Sequence, residues 1–261
     1  MNPLRPDDIE KMRAAGRLAA KTLNYVGSLV KAGVTTNELD QAAHKFTLEH
    51  GATPAPLGYH GYPKSICTSV NQCICHGVPD DTPLKDGDII NIDVTCILDG
   101  FHGDTSRTFF VGEVSPRAKE VTRVAYEAMM KGIEQVRGGG TTGDIGFAIG
   151  KFVAKQGMFA VREIGGHGIG ASFHGEPFVP SFGKKGKGDR LKPGTFITVE
   201  PMINETSVPI VEYDIPGSSI KYYDTGDGSL TAQFEHTVLI TDTGHEIMTL
   251  DPDAPEFRLG Y

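Results

Sequence analysis

Apolar residues near the start of the chain recur at helical spacing. Ile9, Met12, Leu23, Val26 and Val30 fall on one face, which predicts an amphipathic helix over residues 7–30. Thr35 and Glu38 stand at the spacing of a capping box and open a second helix that stops at Gly51. Ser115-Pro116, an N-cap residue followed by proline in the first turn, opens a third that runs to Gly138, and a fourth spans Thr142 to Gly157. The rest reads as strands and turns. Residues 87–111 form a long hairpin about Asp99-Gly100, and residues 207–228 an extended excursion without helical periodicity.

These elements occur twice. Val30-Lys31-Ala32-Gly33-Val34-Thr35-Thr36 aligns with Val136-Arg137-Gly138-Gly139-Gly140-Thr141-Thr142 at an offset of 106, and His76-Gly77-Val78-Pro79 is echoed by His174-Gly175-Glu176-Pro177. Leu84-Lys85-Asp86-Gly87 leads to Ile92-Asp93 as Leu191-Lys192-Pro193-Gly194 leads to Val199-Glu200. Each half runs through two helices, a His-Gly-x-Pro and a strand ending on an acid. A return strand then carries another acid, Asp104 or Glu235. The period is too long for a solenoid. It predicts a single domain over residues 1–261, made of two similar halves (roughly 7–111 and 115–250) that face each other across a pseudo-twofold axis, with a site where they meet.

With Asp99-Gly100 as a two-residue turn, Asp93 faces Ser106 and Asp104 faces Thr95. The two aspartates are then diagonal neighbours on one sheet face. Carboxylates that close repel unless a proton or a cation lies between them. A frayed strand with one aspartate in solvent would avoid the conflict, but Asp93 sits in the apolar run Ile89-Ile90-Asn91-Ile92-Asp93-Val94, where a lone carboxylate is costly. Glu200 and Glu235 are embedded in apolar strands in the same way. A divalent pair bridged by carboxylates accounts for all four acids. His167, in Gly165-Gly166-His167-Gly168-Ile169-Gly170, supplies a fifth ligand. Its glycines permit close backbone approach, as near a bound ligand, and no nucleotide-binding spacing follows. His44, His50 and His245 read as helix or turn surface, His102 as a loop residue, and His236 as pointing to the sheet face opposite Glu235.

A net charge of −8 argues against a nucleic-acid partner or an anionic membrane surface, and Lys184, Lys185 and Lys187 read as a solvated loop. Cys67, Cys73, Cys75 and Cys96 form no paired CxxC array, so buried reduced thiols are expected rather than a zinc knuckle. No run of 18 apolar residues occurs and the first residues lack a secretory apolar core, which predicts a soluble, cytoplasmic protein.

The ligand set Asp93, Asp104, His167, Glu200 and Glu235 resembles that of the methionine aminopeptidase family, most specifically its type I branch. Tyr59-His60-Gly61-Tyr62-Pro63-Lys64-Ser65, Cys75-His76-Gly77-Val78-Pro79-Asp80, Val199-Glu200-Pro201-Met202 and Gln233-Phe234-Glu235-His236-Thr237 are similar to that family's phrases, and the likeness covers at least residues 7–250. The resemblance implies the pita-bread fold, an α/β (α+β) arrangement of two pseudo-twofold-related halves in which helices cover an antiparallel sheet. It implies that Asp93 chelates one metal, that Asp104 and Glu235 bridge both, and that His167 and Glu200 complete the other, with Glu200 as the acid/base. His174 would lie on the scissile carbonyl and His76 near the peptide nitrogen. Tyr59, His60, Tyr62, Cys67 and Phe173 would form the methionine pocket with them, and Asn71, Cys73 and Thr231 would hold a Na or K ion. A carboxylate-rich site with one histidine favours Mn(II) or Fe(II), with Co(II) and Zn(II) open. The implied role is removal of the initiator methionine from nascent, ribosome-associated chains with a small second residue, by a monomer. Pro56, Gly175, the segment 205–228 and the absence of tryptophan depart from the pattern, with Tyr222 or Tyr223 expected to replace a tryptophan at the pocket rim. A proline-directed aminopeptidase or prolidase carries the same ligands but usually a large N-terminal domain. A non-catalytic binding module on this fold would typically lack some of them.

Overall fold

A computed structural model describes residues 3–253; Met1 and Asn2 of the N-terminal stretch and the last residues, 254–261, lie outside them. The four expected helices are α1 (Pro6–Gly27), α2 (Thr36–Glu49), α3 (Pro116–Ile133) and α4 (Thr142–Lys155). The strands are β1 (Thr53–Pro54), β2 (Cys67–Val70), β3 (Cys73–Cys75), β4 (Ile89–Leu98), β5 (Phe101–Phe110), β6 (Phe159–Ala160), β7 (Gly166–Ile169) and β8 (Gly175–Val179). They continue as β9 (Phe196–Val199), β10 (Met202–Asn204), β11 (Ile210–Asp214), β12 (Lys221–Thr225), β13 (Thr231–Gln233), β14 (Glu235–Ile240) and β15 (His245–Ile247). No helix of the described residues is long and apolar enough to cross a membrane.

The pseudo-twofold repeat is visible in the hydrogen bonds. Thr35 and Thr141 both cap helices through complete capping boxes. Gly33 and Val34 pair with Leu84 as Gly139 and Gly140 pair with Leu191, in both cases at 2.8–2.9 Å. This pairing is why α1 and α3 stop several residues short of the expected ends at Val30 and Gly138: the chain leaves the helix to meet the other segment of its own half. The sheets of the two halves join where β14 lies antiparallel to β5. The resulting sheet has the order β1-β4-β5-β14-β9-β7-β8, with β2 against β4 and β15 against β14.

Strand alternation decides what each face carries. Ile90, Ile92, Val94 and Cys96 of β4 pack with α1 and α2, while Ile197 and Val199 of β9 and Val238 and Ile240 of β14 pack with α3 and α4. Asn91, Asp93 and Thr95, and in the second half Thr198, Glu235 and Thr237, point the other way. Gly103 allows the close fit of α1 on this sheet, since a Cβ there would lie 2.4 Å from the Ala15 carbonyl carbon. His102 corrects a sequence expectation: it belongs to β5 rather than a loop, is buried, and hydrogen-bonds the Gly170 carbonyl at 2.9 Å. The excursion over 207–228 is the hairpin β11–β12, which adds to β3. All four cysteines are free; Cys67, Cys75 and Cys96 are buried and Cys73 half-buried.

Candidate active site

The β4–β5 register is the one expected from the turn, Asp93 against Ser106 and Thr95 against Asp104. Asp93 also faces Cys67 of β2, and Glu235 opens β14 opposite Ser106. Glu200 follows the last residue of β9, and His167 arrives on β7, its amide donating to Thr198 Oγ1 at 2.9 Å. Gly166 serves this pairing: a Cβ would sit 2.3 Å from the Thr198 carbonyl oxygen, so its lack of a side chain admits a neighbouring strand rather than a ligand.

His167 Nδ1 lies 3.1 Å from the Gly168 carbonyl, which can only accept, so the proton is on Nδ1 and the Nε2 lone pair faces the acids. Nε2 is 3.6 Å from both Asp104 Oδ2 and Glu200 Oε1. One ligand atom from each of Asp104, His167 and Glu235 lies within 4.8 Å of the others. Burial, reinforced by neighbouring carboxylates, pushes Asp104 and Glu200 up to about 8 and Asp93 and Glu235 well above the carboxylate range. Burial pushes His167 down to about 4, so it is neutral. Asp93 Oδ1 and Glu235 Oε1 are buried without a hydrogen-bond partner among the described residues. Buried carboxylate oxygens that lack partners, converging on a neutral imidazole lone pair, fit divalent cations and little else.

Three further residues hold this set. Thr95 Oγ1 donates to Asp104 Oδ1 and Thr198 Oγ1 to Glu200 Oε1, both at 2.7 Å, and Gln233 Nε2 donates to Glu200 Oε2 at 3.2 Å. Sequence reasoning passed over the two threonines, although each stands two residues along extended chain from an acid and so faces the same way.

The acids floor a cavity of about 170 Å3. Tyr59, Tyr62, Cys67, His76, Phe173 and His174, all expected there, form its walls, with Pro56, Ile164 and Ile220 in addition. His60 is not on the wall; in the left-handed region at φ 48°, it sets its ring edge-on to Tyr59 at 4.4 Å. The rim position expected for Tyr222 or Tyr223 is taken by Ile220, because the turn between β11 and β12 folds over Gly61 and bonds the His60 carbonyl through Ser218 and Ser219. His76, at φ 57°, places Nδ1 3.0 Å from the Lys221 carbonyl, and burial lowers its pKa. His174 stacks on Phe173 at 4.1 Å, with Nδ1 2.9 Å from the Tyr59 hydroxyl. Desolvation by these rings, with His167 close by, pushes it down to about 3. Away from this cavity, the Thr231 amide donates to the Asn71 carbonyl at 3.0 Å, and Cys73 opens β3 two residues on.

The model of metallopeptidase family M24 matches residues 10–242. The chain belongs to metallopeptidase family M24. Among its relatives, the methionine aminopeptidase of Rickettsia prowazekii (strain Madrid E) is 52% identical over 96% of this chain and 95% of its own length. That of Escherichia coli (strain K12) is 48% identical over 95% and 93%. The crystal structure of methionine aminopeptidase from Rickettsia prowazekii superposes with a TM-score of 0.92 at 50% identity, covering 96% of this metallopeptidase and all of that chain. The curled antiparallel sheet under four helices is thus the pita-bread fold.

Proposed function

We propose that this chain is a dinuclear metal-dependent methionyl aminopeptidase that removes the initiator methionine from nascent proteins with a small second residue. The observation that carries the reading is the cavity itself: a small pocket with aromatic, aliphatic and sulfur walls, closed at one end by five metal-competent side chains. Such walls suit a thioether side chain. Asp93 would hold one ion, Asp104 and Glu235 both, and His167 and Glu200 the other. A bound pair supplies Lewis-acid polarisation of the scissile carbonyl and lowers the pKa of the attacking water. Glu200, held by Thr198 and Gln233, takes that water's proton.

The two histidines support different roles. The Lys221 carbonyl can only accept, so His76 carries its proton on Nδ1 and offers Nε2 as an acceptor for the N–H of the peptide bond. A Tyr59 hydroxyl donating to His174 Nδ1 leaves the proton on Nε2, free to donate to the carbonyl oxygen as it gains charge. We place the protein in the cytoplasm as a monomer that meets chains at the ribosome, with Mn(II), Fe(II), Co(II) or Zn(II) as candidate ions and a Na or K ion bound at Asn71, Cys73 and Thr231.

Turnover of a Met-x-Ser series tests this, with metal added and removed. Cleavage is expected before Gly, Ala and Ser and poor before Leu, Lys and Phe. Equal rates across the series, or cleavage of Ala-Pro peptides instead, would overturn the reading.

A further inference from the structure

The connection between β7 and β8, residues 170–174, carries Phe173 of the pocket wall and His174. It stands at the surface: Ala171, Ser172 and His174 are exposed, and a Cβ on Gly170 would meet nothing within 4 Å. Exposed connections are the mobile parts of a fold unless something ties them down. Two residues of the first half tie this one across the pseudo-twofold axis. The Tyr59 hydroxyl bonds His174 at one end, and His102 of β5 holds the other. His102 donates to the Gly170 carbonyl twice, from its backbone amide and from Nδ1, both at 2.9 Å. Its ring also stacks on that of Phe173, with centroids 5.5 Å apart and planes 14° from parallel. Phe173 stacks in turn on His174, at 4.1 Å and 25°.

Packing alone does not account for a histidine at this position. A buried imidazole carries a desolvation cost that an aliphatic side chain would avoid. The backbone amide already satisfies the Gly170 carbonyl, so the second bond adds direction rather than satisfaction. Along β5, His102 alternates onto the same face as Asp104 and Ser106. Yet His102 does not line the cavity, and no hydrogen bond joins its side chain to a proposed metal ligand among the described residues. It reaches the reaction through Phe173 and His174.

We infer that His102 is a positioning residue: it clamps the 170–174 connection so that Phe173 closes the methionine pocket and His174 Nε2 is aimed at the scissile carbonyl. The inference rests on the reading of His174 as the carbonyl donor. Such a donor works by being in place before charge develops, and on an exposed connection that placement comes from its neighbours. Displacing a group of this kind by about 1 Å costs up to ~100-fold in rate.

The test is a double-mutant cycle on the metal-loaded full chain, with Met-Ala-Ser as substrate. His102→Ala should lower kcat by ~10- to 100-fold, move KM less and keep its metals. Added to His174→Ala, it should cost less than about 2-fold more, because residues acting through one group are not additive. A purely structural role would multiply the two losses instead. His102→Asn, whose amide can replace the Nδ1 donor, should recover part of kcat. His102→Leu, which fills the space without donor or ring, replaces His102→Ala if that variant does not fold. NMR separates the inference from the methionine reading. The ring protons of His174, shifted by the ring current of Phe173, should move in His102→Ala whatever the substrate. If the native chain does not cleave Met-Ala-Ser, the methionine reading fails and these protons decide alone. Native-like kcat, losses that multiply across the cycle, metal lost together with activity, or unmoved His174 protons would each overturn the role of His102.

Discussion

Thr198 donates its hydroxyl hydrogen to Glu200 Oε1 over 2.7 Å while accepting the amide hydrogen of His167. One side chain thereby fixes two proposed ligands of the same ion. Thr198→Val keeps the shape and removes both bonds. Losing a hydrogen bond to a charged group typically costs about 1.5–3 kcal/mol. We expect metal affinity to fall by roughly 10- to 100-fold, the scale of such supporting residues. Titration of the metal-stripped variant with Mn(II) measures it, and an unchanged affinity would remove Thr198 from this role.

Glu200→Gln separates ligation from proton transfer, because the amide keeps an oxygen but cannot act as a base. With metal saturating, kcat should drop at least ~100-fold. Retention of most of kcat would hand the proton to another group.

Asp104 and Glu235 are the acids proposed to touch both ions. Asp104→Ala or Glu235→Ala should lose both metals and the activity together. Elemental analysis of the purified variants decides, and two tightly held ions with near-normal turnover would refute the bridging assignment.

The buried acids predict how the metal-stripped protein responds to pH. Asp104 and Glu200 are raised to about 8, so the folded state holds protons that the unfolded chain releases near pH 4. Their favourable contribution is fully present below that pH and is lost as pH rises through about 8. His167 and His174 are lowered and act in the opposite sense, but only below their ordinary value of about 6.5. Between about pH 7 and 8.5 the histidines no longer contribute, and the buried cysteines, raised like the acids, add to the fall in the same sense. Calorimetry in chelator should therefore show Tm falling across that window, with added Mn(II) reducing the fall. A flat Tm in chelator would show that the acids are ionised in the folded apoprotein.

His174→Ala should keep its metals and lose roughly 100- to 1000-fold in kcat with little change in KM, as for a donor that acts on the transition state. A change confined to KM would reassign it to ground-state binding.

Much of the site was legible in the sequence because strand alternation and a two-residue turn fix which side chains share a face. Asp93, Asp104, Thr95 and Ser106 follow from the position of Asp99-Gly100 alone. The helix starts were equally readable, at Thr35 from Glu38 three residues on and at Ser115 from the proline that follows it. The helix ends were not, since Gly33 and Val34 are claimed by Leu84, far along the chain. Ile220 and the displacement of His60 were hidden for the same reason: both depend on a turn folding over Gly61 from more than 150 residues away.

β4 and β5 share ten register pairs, but β5 and β14 share only two, Glu235 with Ser106 and His236 with Thr105. The join between the halves is therefore as narrow as that of β7 with β9, and it lies at the acids themselves. A cation gripped by Asp104 from one side and Glu235 from the other would act as a rivet across that seam. Chelation would leave each half intact and let the joint between them breathe, so that backbone amides of β14 near Glu235 would be among the first to exchange with solvent.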